Sequence, residues 1–128
     1  MKFVTLMENT TCREDLCCEH GLSLYLETGD HIILFDAGQS GAFAENGEKM
    51  GVDLQKVDFA VLSHGHYDHS GGLRKFLEIN KTAPVYVSYH AFEPHYSANG
   101  YIGMDPALAE NKKIRYVAET TVLAEGIT

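Results

Sequence analysis

Residues 64–69 read His64-Gly65-His66-Tyr67-Asp68-His69, followed by Ser70-Gly71-Gly72, which places four potential metal ligands within six positions. Three imidazoles and a carboxylate suit zinc, with manganese or iron as alternatives, and no thiolate is needed. In an extended segment side chains alternate, so His64 and His66 point the same way and can grip one ion. Asp68 and His69 follow where the chain bends. Adjacent residues in a turn diverge, so this pair is placed to reach a second ion beside the first. Such ions would lower the pKa of a bound water to near ~7 and polarise an ester, lactone, thioester or phosphoester oxygen under attack, so the chemistry to expect is hydrolysis with no side-chain nucleophile.

The elements around the motif are legible from their patterning. Val57-Asp58-Phe59-Ala60-Val61-Leu62 is β-branched and apolar enough for a buried strand, and Leu73-Arg74-Lys75-Phe76-Leu77 has helical spacing, so the ligands sit on a strand-to-helix turn and Ser70 to Asn80 is predicted helical. Upstream, Leu22, Leu24 and Leu26 alternate with Ser23, Tyr25 and Glu27, and Thr28-Gly29-Asp30 turns that strand into His31-Ile32-Ile33-Leu34-Phe35 as a hairpin. Gly38-Gln39-Ser40-Gly41 is a loop, Ala42 to Met50 a short helix weakened by Gly47, and Asp53 an N-cap before the metal strand. Pro84-Val85-Tyr86-Val87-Ser88 is a further strand. Pro94, Asn99-Gly100 and Pro106 make residues 90–106 a loop with one or two helical turns. Residues 113–117 and 121–128 read as a closing pair of strands. Antiparallel strands followed by β-α-β give an α/β (α+β) class, a mixed sheet with helices on one face.

The His-x-His-x-Asp-His pattern, with a strand before it and Gly-Gly after, resembles the signature of the metallo-β-lactamase superfamily of metal-dependent hydrolases. Ile33-Leu34-Phe35-Asp36-Ala37-Gly38 looks like that family's strand ending in Asp-x-Gly behind the metals. Glu19-His20-Gly21-Leu22-Ser23-Leu24 looks like the opening strand of a subgroup named after a dihydropterin ribofuranosyl-aminobenzene phosphate synthase activity. The resemblance implies metal ligation by His64, His66, Asp68 and His69, with Asp68 as the catalytic group that orients the attacking water and passes on its proton. It also implies a third metal-binding His on a later strand, then a bridging ligand and a last His, and nothing after His95 can supply them. Residues 1–128 are therefore expected to be one domain, the N-terminal half of an αββα sandwich truncated at its C-terminus. Two functional readings follow: a metal-dependent hydrolase completed by another chain, or an incomplete, weakly catalytic or non-catalytic metal-binding half-domain that acts as an interaction or dimerisation module.

Each of these residues also has a plainer reading. Burying His64 and His66 side by side without a partner would cost about 1–3 kcal/mol each, which argues against two idle strand-end histidines. Asp68 could serve as a helix N-cap, and His69 shares that ambiguity. Asp36 reads as a carboxylate that fixes an imidazole or a loop rather than as a ligand. His20 reads equally as part of an exposed polar turn. His90 and His95 fall beyond a strand end, where a substrate loop would be. Ser63 and Ser70 read as structural. Cys12, Cys17 and Cys18 crowd one polar loop; an odd count with a vicinal pair fits reduced thiols in a reducing compartment better than a metal knuckle.

The 128 residues are 45% hydrophobic, enough for a single core. A net charge of −8 without a basic cluster excludes a nucleic-acid groove, which needs Lys and Arg to displace phosphate counterions. No apolar run approaches bilayer length, and Met1 to Met7 is followed at once by Glu8 and Asn9, so it reads as a strand rather than a secretory signal. The expected protein is cytoplasmic, acts on a small molecule, and works as a homo-oligomer or with a partner that supplies the remaining half.

Overall fold

In the computed structural model, which describes residues 1–128, the alternating segments of the first third form an antiparallel meander of β1 (Lys2–Met7), β2 (Ser23–Glu27) and β3 (Ile32–Phe35). Thr28 closes the β2–β3 turn: its backbone N–H donates to His31 O at 2.8 Å and its hydroxyl accepts from His31 N at 2.9 Å. The chain continues through α1 (Ala42–Lys49), β4 (Phe59–Val61), α2 (Tyr67–Ser70), α3 (Leu73–Ile79) and β5 (Val85–Ser88). A small hairpin of β6 (Tyr96–Ser97) and β7 (Gly100–Tyr101) precedes the last strand, β8 (Ile114–Val117). The main sheet has the order β1-β2-β3-β4-β5-β8, antiparallel as far as β3 and parallel from β3 onwards. Parallel neighbours require crossovers, and the segments containing α1, α2 and α3, and the hairpin supply them.

One sheet face makes the core. Leu34, Ala60, Val85, Val87 and Ile114 pack with Phe43 of α1 and Leu73, Phe76 and Leu77 of α3. Phe43 and Phe76 are fully buried, each worth roughly 1.5–3 kcal/mol relative to exposure. Asn80 fastens the end of α3: its amide donates to Leu54 O and Val57 O, and its oxygen accepts from Ala83 N. Asp53 accepts from Gln55 N and so caps the 3-10 turn Leu54–Lys56 that leads into β4. The alternate strand positions face the other way. Leu26, Ile33 and Phe59 make one cross-strand row, and Leu24, Phe35, Val61 and Tyr86 another. Ile33 and Phe59 are buried yet lie outside the core cluster.

Three sequence expectations change. The single helix over 70–80 is two helices, because Gly71 and Gly72 dock directly on the β3–α1 loop. A Cβ at Gly72 would lie 2.1 Å from Ala37 O, and one at Gly71 2.0 Å from Gln39 O, so the chain breaks its helix to approach that backbone. Residues 121–128 form no strand; they make only the isolated bridge Ala124↔Ile127 and run beside Val61 and Tyr86 on the helix-free face. Residues 90–106, expected as loop and helical turns, contain the β6–β7 hairpin, with helical geometry only at the edge, in the 3-10 turn Pro106–Leu108.

Candidate metal centre

The candidate centre is built where β3 and β4, adjacent and parallel, both end. Asp36 follows β3, Ser63 and His64 follow β4, and α2 carries Asp68 and His69 back across the strand ends. Asp36 adopts φ 58°, a left-handed conformation rare for residues other than Gly, Asn and Asp, and it is 1% exposed. Its backbone is pinned by Asp36 N donating to Val61 O and Asp36 O accepting from Ser23 Oγ, both at 2.9 Å. Its carboxylate accepts three hydrogen bonds: Oδ1 accepts from Ser63 N at 2.8 Å, and Oδ2 accepts from Ser63 Oγ and from His69 Nδ1, each at 2.7 Å.

These bonds set the tautomers of two imidazoles. His69 Nδ1–H donates to the Asp36 carboxylate, which in the neutral ring leaves a lone pair on Nε2. Ser63 spends its only hydroxyl proton on Asp36, so its 2.9 Å contact with His64 Nδ1 has the imidazole as donor, and His64 Nε2 is also a free acceptor. His64, Asp68 and His69 offer ligating atoms that all lie within 4.8 Å of one another. His69 Nε2 faces Asp68 Oδ2 at 3.4 Å. With His69 neutral, its Nε2 and Asp68 Oδ2 are both acceptors, an arrangement that a cation between them satisfies, and 3.4 Å is the edge of a tetrahedron whose centre is about 2.1 Å from each corner, the reach of zinc to nitrogen or oxygen. The donor set therefore fits a divalent ion. Partial desolvation, reinforced by His69 and His66, lowers the His64 pKa from its ordinary value, the direction that favours the neutral form a metal ligand needs.

The other candidates are placed as follows. His66 precedes α2 as its N-cap residue, without a side-chain cap bond; its ring centroid is 4.7 Å from that of His64, and it is outside the three-residue ligand group. Asp68 lies inside the first turn of α2 rather than at its N-cap. Asp68 and His69 converge on His64 instead of diverging, because the helical turn carries both back over the strand ends. His95 is 5.0 Å from the His66 ring, held there by Ile102 N donating to His95 O and Tyr67 N donating to Ile102 O. With Ser63, His64, His66, Ser88 and His90 it lines a cleft of about 350 Å³. His90 points to Glu93, its Nδ1 2.6 Å from Oε1, and is largely exposed. His20 Nε2 lies 3.2 Å from Asp68 Oδ2. His31 is half-buried, 3.9 Å from Asp58. Cys12, Cys17 and Cys18 are free and exposed, and the loop of the last two is anchored by Asn46, which accepts from Cys17 N and donates to Cys17 O. Ser63 has a larger part than the sequence suggested; its position directly before His64 at a strand end was the available signal.

Residues 18–125 match the family profile described as the metallo-beta-lactamase superfamily. An uncharacterized protein of Methanocaldococcus jannaschii is 32% identical over 108 residues, 84% of this chain and 42% of that protein. The 7,8-dihydropterin-6-methyl-4-(beta-D-ribofuranosyl)-aminobenzene-5'-phosphate synthase of the same organism is 33% identical over 59% of this chain and 28% of its own length. Among solved structures, a subclass B3 metallo-beta-lactamase isolated from a soil metagenome library matches with a TM-score of 0.60 at 22% identity, over 80% of this chain and 42% of that one, a likeness of fold. The chain thus spans less than half the length of each of these relatives.

Proposed function

This chain belongs to the metallo-beta-lactamase superfamily, and from that premise we propose that His64, Asp68 and His69, with His66 beside them, hold one or two divalent ions, zinc by default, in a hydrolytic centre for a small-molecule ester, thioester, lactone or phosphoester. The observation that supports this most directly is the buried Asp36, which holds His69 directly, with Nε2 facing Asp68, and His64 through Ser63, in a group whose ligating atoms lie within 4.8 Å of one another. A bound ion supplies Lewis acidity, acidifying a water and polarising the oxygen under attack. The chain's own residues then have separable tasks. Asp36 and Ser63 hold the imidazoles in register, Asp68 orients the water and accepts its proton at the carboxylate for delivery to the leaving group, and the cleft lined by His64, His66, His90 and His95 receives the substrate.

The remaining ligands of such a centre are proposed to come from polypeptide corresponding to the rest of the relatives' length, in this protein or in a partner subunit. No helix here is long and apolar enough to cross a membrane. Three free cysteines support the proposal of a reducing, cytoplasmic setting.

Metal analysis after mild purification is expected to find about one or two ions per chain. The combined substitution His64→Ala and His69→Ala is expected to strip them, and full metal content in that variant would overturn the assignment. Chelation of the wild-type chain should lower its melting temperature, since an ion at about 100 times its Kd stabilises the folded state by ~2.7 kcal/mol.

A further inference from the structure

The loop between β1 and β2 reaches the candidate centre through Glu19-His20-Gly21, and each of the three residues has a distinct contact there. Glu19 anchors the loop: its Oε1 accepts from Gln39 N at 3.1 Å and Ser40 N at 2.9 Å, and its Oε2 accepts from Ser40 Oγ at 2.8 Å. Gly21 brings the loop against the metal helix. It has φ +135°, and a Cβ there would lie 2.0 Å from Asp68 O, so only glycine allows this approach, in which Leu22 N donates to that same carbonyl at 3.3 Å. His20 lies between them with Nε2 3.2 Å from Asp68 Oδ2.

The chemical role of His20 is fixed by Asn9. Asn9 Oδ1 accepts from Gly21 N at 2.9 Å, which settles which way the amide faces, so its NH₂ points at His20 Nδ1, 3.4 Å away. Nδ1 is therefore the acceptor and Nε2 carries the hydrogen. An imidazole in that state donates to Asp68; it has no lone pair at Nε2 to offer an ion. We propose that His20 is a positioning residue, an N–H donor that fixes the Asp68 carboxylate against the ion, and that Asn9 and Gly21 exist in this loop to hold it so. The inference rests on the metal reading above. Hydrogen-bonded partners of ligating carboxylates typically contribute about 10–100-fold in affinity or activity.

The test is zinc and cobalt titration of the purified chain against a competing chelator, with the cobalt absorption spectrum recorded at saturation. His20 is 64% exposed at its side chain, so its replacement should leave the fold and melting curve intact. His20→Ala is expected to weaken the ion by about 10–100-fold without lowering the number of ions bound, and to change the cobalt spectrum. His20→Gln, whose amide nitrogen occupies the place of Nε2, is expected to recover most of the affinity and the spectrum. A His20→Ala chain with unchanged affinity would overturn the proposal while leaving the metal reading standing. Loss of a whole ion in His20→Ala that His20→Gln fails to restore would overturn it in favour of direct ligation. A wild-type chain that takes up neither metal would instead overturn the metal reading itself.

Discussion

Asp36 is the residue on which the centre turns, because one buried carboxylate sets two imidazole tautomers at once. Asp36→Asn isolates that effect. Asparagine tolerates the left-handed backbone and keeps the volume, so the fold should survive. An amide oxygen can still accept from Ser63 N, but the amide nitrogen then faces Ser63 Oγ and His69 Nδ1 as a donor. His69 must accept at Nδ1, its proton moves to Nε2, and the lone pair that faces Asp68 is lost. The expected result is a 10–100-fold weaker ion, read by chelator competition, with a melting temperature of the metal-free chain within a few degrees of wild type. Unchanged affinity would show that the tautomers are set elsewhere. At this scale the candidate ligand types of 64–69 were plain in the sequence, since spacing on one segment is local. Asp36 at its strand end could be read as fixing an imidazole or a loop, but not which one, because Asp36 and His69 are 33 positions apart and only the pairing of β3 with β4 brings them together.

Among the elements, the loops rather than the strands determine how the centre is assembled. The meander, the β4–helix turn and β5 follow from alternation and apolar runs, because each is specified by its own side chains and by burial on one face. The break between α2 and α3 is different: its cause is the carbonyls of Ala37, Gln39 and Ser40, far away in sequence, against which Gly71 and Gly72 pack. The β6–β7 hairpin is likewise too short to show a period of two, and its Asn99-Gly100 step read only as a chain break. A direct test of the loop-packing argument is Gly21→Ala. Its left-handed backbone costs a side-chain-bearing residue about 1–3 kcal/mol, and the clash with Asp68 O adds to that. The variant should therefore melt lower and bind the ion more weakly, whereas Gly29→Ala, in the β2–β3 turn where a Cβ meets nothing within 4 Å, should do neither. Equal behaviour of the two variants would refute the idea that the β1–β2 loop is packed onto α2 to position Asp68.

For the whole molecule, two properties follow from its having helices on one side of the sheet. The ligand group is drawn from a single stretch, and a water shared by two ions needs ligands on both sides. The 128-residue chain alone is therefore expected to hydrolyse generic esters, lactams and phosphodiesters at least about 10²-fold more slowly than a fusion that adds the C-terminal part of a full-length relative. Equal turnover by both would show that these ligands suffice. The second property is the opposite sheet face, where Leu24, Leu26, Phe35, Val61 and Tyr86 present side chains that are only half-buried and Phe3 is 63% exposed at the β1 edge. Half-buried apolar side chains on a face without helices, with Phe3 exposed at its edge, are the kind of surface through which proteins associate, so the chain is expected to self-associate through it. The net charge of −8 opposes that association by like-charge repulsion, and salt screens the repulsion over about 8 Å at physiological strength. Sedimentation at tens of micromolar should accordingly show a species larger than a monomer, growing with added salt, and Leu26→Glu, which puts a charge in the middle of the face but away from the metal end, should return it to monomer with its metal content unchanged. A wild-type chain that sediments as a monomer at both low and high salt would mean that residues 117–128, running beside Val61 and Tyr86, already shield this face well enough to make a partner unnecessary.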